Sequence, residues 1–308
     1  MSADFERILL LGAYGFLGSN LMKYIDDNSL NYKIVAFDRL DKHPANLSFD
    51  CVEASYVGDF ADELLLDGIF SRCRIDLVIH CISTTIPVGG QSARYDVESN
   101  LLPTIKLLDV MVKHQCQRIV FVSSGGAVYG EGRSAHSEND PVYPKSSYGV
   151  VKVAIEKCMF QYAYGKGIKP LVLRLSNPYG KYHYSMRQGV VNVALEQARR
   201  GEVFVVYGDG SATKDYVFVE DFCKGLFELV EKEVWLQVIN FGSGYLYSVN
   251  EILEEIKNQY PNFKWRYDRA NKNDVSFFAL DITKLRGYLD YHPRCLEEVM
   301  ADLASNPL

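Results

Sequence analysis

The first strand and the turn after it restrict this chain most. Ile8-Leu9-Leu10-Leu11 is wholly apolar, as suits a parallel strand covered by helices on both faces. It runs straight into Gly12-Ala13-Tyr14-Gly15-Phe16-Leu17-Gly18, and Ser19 to Tyr24 then reads as helix. Gly12 permits the tight turn, Gly15 lets a pyrophosphate approach the backbone, and Gly18 lets the helix pack on the strand. The helix N-terminus offers amide donors and a positive dipole to phosphates. The spacing is G-x-x-G-x-x-G. Alone it is a modest pointer, because glycine turns also make plain strand-to-helix connections.

The next hundred and fifty residues or so repeat the alternation of strand and helix. A second strand, Lys33 to Phe37, ends in Asp38, 20 positions past Gly18. A carboxylate there accepts hydrogen bonds from ribose hydroxyls and repels a 2′-phosphate, which favours NAD over NADP. Arg39 pulls the other way, and a turn-capping Asp is the plain alternative. Cys51 to Phe60 reads as a strand ending in Gly58-Asp59, then a helix from Ala61 to Arg72. Asp76 to Cys81 is a fourth strand. Its loop, Ile82-Ser83-Thr84-Thr85-Ile86-Pro87, faces the ligand crevice of such a sheet. His80 reads as a core imidazole before a catalytic one. Asp96 to His114 is an amphipathic helix with Asn100 in its first turns, and Arg118 to Val122 is the fifth strand. Ser123-Ser124-Gly125-Gly126 then carries hydroxyls into the crevice. Pro170 to Arg174 is a sixth strand.

Between them lies Ser146-Ser147-Tyr148-Gly149-Val150-Val151-Lys152. Tyr148 and Lys152 are four apart, hence on one helix face. An ammonium beside a phenol favours the phenolate and lowers a pKa that starts near 10, which makes an acid/base for neutral pH. A lone Y-x-x-x-K is common by chance; the glycine turn and the serines give this one its weight.

The expected fold class is therefore α/β, a Rossmann-type doubly wound parallel sheet over residues 1–175. After 176 the character changes. Ser176 to Gly180 is a turn, Val190 to Arg200 a helix, Val203 to Tyr207 and Thr213 to Phe218 strands, Glu220 to Glu231 a helix. Gln237 to Phe241 reads as a strand returning to the main sheet, within a returning stretch 215–245. Val249 to Gln259 is helical, Phe263 to Tyr267 extended and Ile282 to Tyr288 helical. Segments 176–214 and 246–308 form a smaller C-terminal substrate-binding lid. The net charge of −6, with no basic run, points away from nucleic acid and membrane surfaces. The seven cysteines are odd in number and show no C-x-x-C; they read as reduced thiols, with no metal site. The N-terminus carries no basic region or long apolar stretch, so the cytoplasm is the expected compartment.

These stretches together resemble the extended short-chain dehydrogenase/reductases of the nucleotide-sugar epimerase/dehydratase superfamily, most of all the UDP-glucose 4-epimerase-like branch. The resemblance runs nearly end to end. It rests on G-A-Y-G-F-L-G at 12–18, Asp38, Gly58-Asp59, V-I-H-C at 78–81, Asn100, S-S-G-G-A-V-Y-G at 123–130, Y-G-V-V-K at 148–152, S-N-P-Y-G at 176–180 and G-D-G-S-A-T-K-D-Y-V at 208–217. It implies NAD held by Gly12, Gly15, Phe16, Leu17 and Gly18, with Asp38 at the ribose and Asp59 and Phe60 at the adenine. Cys81, Ile82 and Asn100 would flank the cofactor, Tyr148 would be the acid/base, and Lys152 would hold the nicotinamide ribose. Thr84, Ser124, Asn177, Val190, Tyr207, Lys214 and Arg269 would meet a nucleotide-diphosphate sugar, and the protein would be a homodimer.

The departures are informative. Gly125 stands at the usual catalytic Ser or Thr, with Ser124 one residue early; Ser124, a water, Thr84 or Thr85 would have to supply the hydroxyl. Dehydratases of the family resemble T-D-E just before V-Y-G, where this chain has Gly125-Gly126-Ala127, so dehydration is not expected. Lys214 replaces an Arg, keeping charge but losing bidentate geometry. Arg269 is the nearest candidate for a second diphosphate arginine, although Asn271 falls nearer the expected spot before Asp274. The expected activity is NAD-dependent C4 epimerisation of a UDP-hexose through a 4-keto intermediate. The alternatives are a 4-keto-sugar reductase using the same Tyr148 and Lys152 and, less favoured by those two residues, a non-catalytic NAD-binding sensor.

Overall fold

The computed structural model describes residues 6–41, 43–85, 92–132, 134–186, 188–269 and 275–305. The first part runs β1 (Glu6–Leu11), α1 (Phe16–Asp27), β2 (Tyr32–Asp38), β3 (Val52–Val57), α2 (Glu63–Arg72), β4 (Leu77–His80), α3 (Ala93–Asp96), a π-helical turn (Val97–Leu101), α4 (Leu102–Lys113), β5 (Arg118–Ser124), α5 (Gly125–Val128), α6 (Ser147–Lys166) and β6 (Lys169–Leu175). Helix α1 begins three residues before the expected Ser19, because Gly15 serves as its N-cap. The single helix expected from Asp96 is interrupted by the π turn that carries Asn100. Strand β5 runs two residues past the expected Val122, to Ser124, and a short helical turn, Gly125–Val128, follows it.

The second part runs β7 (Asn177–Tyr179), α7 (Val190–Arg200), β8 (Val203–Tyr207), β9 (Thr213–Phe218), α8 (Val219–Glu231), β10 (Gln237–Phe241), β11 (Leu246–Ser248), α9 (Val249–Gln259), β12 (Lys264–Asp268), β13 (Phe277–Phe278), α10 (Thr283–Tyr288) and α11 (Leu296–Ser305). The main sheet has seven strands in the order β10-β6-β5-β4-β1-β2-β3, every pair parallel. Strand β10 closes one edge on β6. Of the stretch 215–245, β10 thus lies in the large sheet and α8 packs on α1, whereas β9 belongs to a four-stranded sheet with β7, β11 and β13. Strands β8 and β12 pair separately. Helix α11 is an element that the sequence reading leaves out. It buries Leu296, Val299, Met300 and Leu303 at helical spacing, in the same core cluster as α9.

The apolar run of β1 shows why a parallel strand needs helices on both faces. Ile8 and Leu10 enter one core, Leu9 and Leu11 the other, and all four are fully buried. Each such side chain contributes roughly 1.5–3 kcal/mol. Across the sheet's far side a buried polar network ties α6 to β6. Arg174 meets Glu156 at 2.8 Å, Ser123 Oγ donates to Glu156 at 2.6 Å, and Arg174 Nη1 donates to Tyr129 Oη at 2.7 Å. Glu156 lies one turn beyond Lys152, so this network fixes the face of α6 that carries both candidate catalytic residues. No described helix is long and apolar enough to cross a membrane.

Candidate active site

Chain direction away from the sheet centre reverses between β1 and β4, and the crevice there is where ligands bind in such sheets. The glycine turn lines it. Gly12 has φ +81°, and a Cβ on Gly18 would sit 2.3 Å from Gly12 O and 2.5 Å from Ala13 O. No side chain caps α1 at Gly15, which leaves its first turn to an external anion. Asp38 lies against the turn, accepting from Tyr14 N at 2.9 Å and from Leu40 N at 3.2 Å. Arg39 is engaged by Asp59 at 3.2 Å across an exposed pair. The ring of Phe60 is in the core, edge-on to His80, so any contact with a ligand would be through its backbone. Cys81 N donates to Leu11 O at 3.0 Å, and Ile82 Cγ1 comes within 3.4 Å of where a Gly12 Cβ would be. Asn100 accepts from Thr84 N at 3.0 Å and donates to Thr84 Oγ1 at 2.7 Å, which shapes the loop after β4. A cradle without Cβ atoms, an uncapped helix and a carboxylate at the ribose end fit NAD.

Ser146 caps α6 by accepting from Gly149 N at 3.2 Å. Lys152 is buried, donates to Val122 O at 2.9 Å and lies 4.6 Å above the Phe121 ring. Burial pushes its ammonium down to about 8, against the smaller opposing pull of Cys81 and Glu156. Its Nζ is 5.7 Å from the centre of the Tyr148 ring. The two side chains do share a helix face, but the expected lowering of the phenol is not what the geometry gives. Burial raises Tyr148 above its ordinary value, and hydrogen bonds from Ser124 and Ser83 oppose this without overcoming it. The lysine bonds the Val122 carbonyl and lies over the phenol ring.

Ser124 ends β5, and Ser83, which the sequence reading passes over in favour of its neighbours, opens the run of hydroxyls after β4; hydrogen bonding from both pulls the phenol down against its burial. Thr84 Oγ1 is tied to Ser99 Oγ at 2.7 Å and to Asn100. Thr85 is buried. Ser83 carries the same signal as they do, since it also follows the strand, but alternation alone cannot choose among three consecutive hydroxyls. His80 is a core residue. It is buried, its Nε2 pairs with Thr104 Oγ1 at 3.1 Å, and burial lowers it to about 3.

On the substrate side, Asn177 Nδ2 donates to Asp215 O at 2.8 Å. Half-buried Val190 opens α7. Tyr207 is 65% exposed and pairs in register with Asp268, so exposed Arg269 lies one residue beyond that pair. Half-buried Lys214 pairs with Tyr247 and Phe278. Phe278 also touches the Gly125 turn: a Cβ on Gly125 would be 3.1 Å from Phe278 Cζ and 3.0 Å from both Leu280 δ-carbons. Asn271 and Asp274 lie outside the described residues. Among the described residues no cluster of His, Cys, Asp and Glu could hold a metal.

The sequence model of the NAD dependent epimerase/dehydratase family matches residues 8–242. A UDP-glucose 4-epimerase of Halalkalibacterium halodurans is 30% identical, with 80% of this chain and 78% of that protein covered. A dTDP-4-dehydro-6-deoxyglucose reductase of Escherichia coli is 28% identical, with 83% of each covered. The crystal structure of a Thermotoga maritima UDP-glucose 4-epimerase with UDP-glucose superposes with a TM-score of 0.89, at 28% identity and 97% coverage of both chains. With strand, turn and crevice in place and residues 8–242 matched, the chain belongs to the NAD-dependent epimerase/dehydratase family.

Proposed function

We propose that the protein is an NAD-dependent epimerase acting at C4 of a nucleotide-diphosphate hexose, a UDP-hexose foremost. The observation that carries this is Tyr148 and Lys152 on one face of α6, the ammonium 5.7 Å from the centre of the phenol ring, with a glycine turn that fits NAD. Bound NAD supplies hydride acceptance and return at the sugar C4. Tyr148, as phenolate, takes the proton of the C4 hydroxyl onto Oη, and later gives it back to the C4 oxygen. Lys152 keeps a positive charge beneath the ring and offers donors to the nicotinamide ribose. Ser124 holds the C4 oxygen toward Tyr148. Gly12, Gly15, Phe16, Leu17 and Gly18 take the pyrophosphate, and Asp38 the adenosine ribose, with Asp59 beyond it. Cys81, Ile82 and Asn100 border the nicotinamide end. Asn177, Thr84, Val190, Tyr207, Lys214 and Arg269 hold the sugar nucleotide, and a 4-keto sugar turns over between them before reduction on its other face.

The absence of a carboxylate at Gly125, Gly126 and Ala127 favours epimerisation over water elimination, which needs an acid there. The E. coli reductase relative supports the second reading, a 4-keto-sugar reductase using the same residues. A panel of UDP-, dTDP- and GDP-sugars, with product stereochemistry read by NMR, separates them. Interconversion of C4 epimers without added NADH supports the epimerase, whereas turnover only of 4-keto sugars with added reductant overturns it. Residues 176–214 and 246–308 act as the substrate-side lid in this reading. Exposed Leu102 on α4 and Val150 on α6 support a homodimer, and the seven cysteines, free where described, support the cytoplasm.

A further inference from the structure

We propose that Ser123 and Arg174 are positioning residues for Lys152: they hold the Glu156 carboxylate, and so leave the ammonium on Val122 O with N–H donors to spare for a ligand. The proposal rests on Lys152 binding the nicotinamide ribose in the reading above. Lys152 and Glu156 stand four apart on α6, a spacing at which opposite charges meet. Both are buried, so little water competes for either charge. Yet each bonds elsewhere, and no ion pair joins them among the described residues. Lys152 Nζ donates to Val122 O at 2.9 Å. Glu156 Oε1 accepts from Ser123 Oγ at 2.6 Å and from Arg174 Nε at 3.2 Å. Its Oε2 accepts from Arg174 Nη2 at 2.8 Å and from Nε at 3.2 Å. Both carboxylate oxygens are therefore taken. The sheet register builds this clamp, because Ser123 of β5 and Arg174 of β6 are parallel partners and both meet α6 at Glu156.

An ammonium has three donors, so two remain beyond the Val122 bond. A Lys152–Glu156 pair would commit one of them to the carboxylate. It would also draw the ammonium one turn along α6, away from the Tyr148 ring, whose centre is now 5.7 Å from Nζ. Which cation takes Glu156 is a matter of shape. A guanidinium presents a planar fork that matches both carboxylate oxygens, whereas an ammonium is a point charge. Arg174 is also fixed from behind, its Nη1 donating to Tyr129 Oη at 2.7 Å and Tyr129 Oη donating to Asn240 Oδ1 at 2.6 Å. The charged and titratable groups facing Lys152 are Tyr148 and Glu156 on its own helix and His80 and Cys81 from the end of β4. Asp96 of α3, near the start of α6, is engaged by Ser147. Glu156 is thus the carboxylate one turn from Lys152, and its two holders decide whether it reaches the ammonium.

The test is an NMR titration of the full chain carrying isotope-labelled lysine, with the Lys152 ε-carbon signal identified by its loss in Lys152→Met. Arg174→Lys keeps the positive charge and removes the fork. It should let Glu156 swing to Lys152, which raises the Lys152 midpoint by about one pH unit. NAD binding, measured by calorimetry, should weaken about tenfold, as expected for one charged hydrogen bond. Adding Glu156→Gln to Arg174→Lys should bring the midpoint back down and recover most of the lost affinity. Ser123→Ala frees Oε1 alone; it should raise the midpoint by a smaller step, and it serves if Arg174→Lys does not fold. A purely structural network predicts a lower melting temperature with the Lys152 midpoint unmoved, and that result in folded Arg174→Lys or Ser123→Ala overturns the proposal. Unchanged NAD affinity in Arg174→Lys, where Lys152→Met binds NAD weakly, overturns it too. The ribose reading fails separately, if Lys152→Met binds NAD as the wild type does; the midpoint alone then judges the clamp.

Discussion

Among the strand-to-helix turns of the main sheet that carry glycine, those at Gly12–Gly18 after β1 and at Gly125-Gly126 after β5 are crowded by different neighbours. At Gly12 to Gly18 an added Cβ would meet mainly backbone: Cys81 C and Ile82 N at 3.4 Å from Gly12, Gly12 O at 3.3 Å from Gly15, and Gly12 O and Ala13 O at 2.3 and 2.5 Å from Gly18. At Gly125-Gly126 the space is filled, by Leu280 and Phe278 arriving from near the C-terminus. The first turn is crowded mostly by backbone that cannot move aside; the second lies against an apolar wall of side-chain ends that can yield. A glycine in a sequence therefore says that something comes close, and only the fold says whether it is a ligand or another part of the protein.

The largest expected effect separates chemistry from binding across the two turns. Tyr148→Phe should lower turnover by about two to four orders of magnitude while NAD binding, measured by calorimetry, stays near wild type. In the proposed mechanism, activity needs the phenol deprotonated and Lys152 charged. Lys152 loses its charge above about 8, and the phenol loses its proton only above its raised value. The kcat/KM profile should therefore peak on the alkaline side of 8 and fall as pH drops to neutral; a plateau through neutral pH would contradict these directions.

At the first turn, Gly18→Ala puts a Cβ against two backbone oxygens that cannot swing aside. It should cost about 1–3 kcal/mol of stability and abolish measurable NAD binding. If NAD still binds, the turn is not the pyrophosphate cradle. Asp38→Ser is milder. It removes the carboxylate and the hydrogen bond from Tyr14 N, and should reduce the preference for NAD over NADP about tenfold, as expected for a contact worth roughly 1.4 kcal/mol. Tighter NADP binding by the wild type would show the assignment of Asp38 to be wrong.

The smallest effect probes the second turn. Gly125→Ser meets side-chain ends that can yield by a few tenths of an ångström. It should cost about 1 kcal/mol and bring no gain in turnover, and combining it with Leu280→Ala should lessen the cost of the added side chain. A gain in turnover from Gly125→Ser alone would mean that the wall is not closed and that the two turns are alike.

Local patterns carried much of the fold because they report on local physics. The apolar run of β1, the glycine turn, and the strands Val203–Tyr207 and Thr213–Phe218 could be read from periodicity and turn chemistry. So could the shared helix face of Tyr148 and Lys152, since a spacing of four fixes it. Helix α11 carries the same kind of signal at Leu296, Val299, Met300 and Leu303, whereas the π turn at Val97–Leu101 leaves no comparable pattern in an otherwise amphipathic stretch.

The rest depended on contacts between residues far apart in the chain. Tyr148 and Lys152 were named by sequence, but the direction of the phenol's pKa was decided by burial, which outweighs the hydrogen bonding that opposes it. Gly125 could be seen as a departure, yet its cause, Leu280 and Phe278, lies near the other end of the chain. Sequence alone determined which groups this protein has and which of them share an element. Tertiary structure decided which groups meet and how much water surrounds them, because both hydrogen-bond partnership and desolvation act over a few ångströms of space, whatever the separation along the chain.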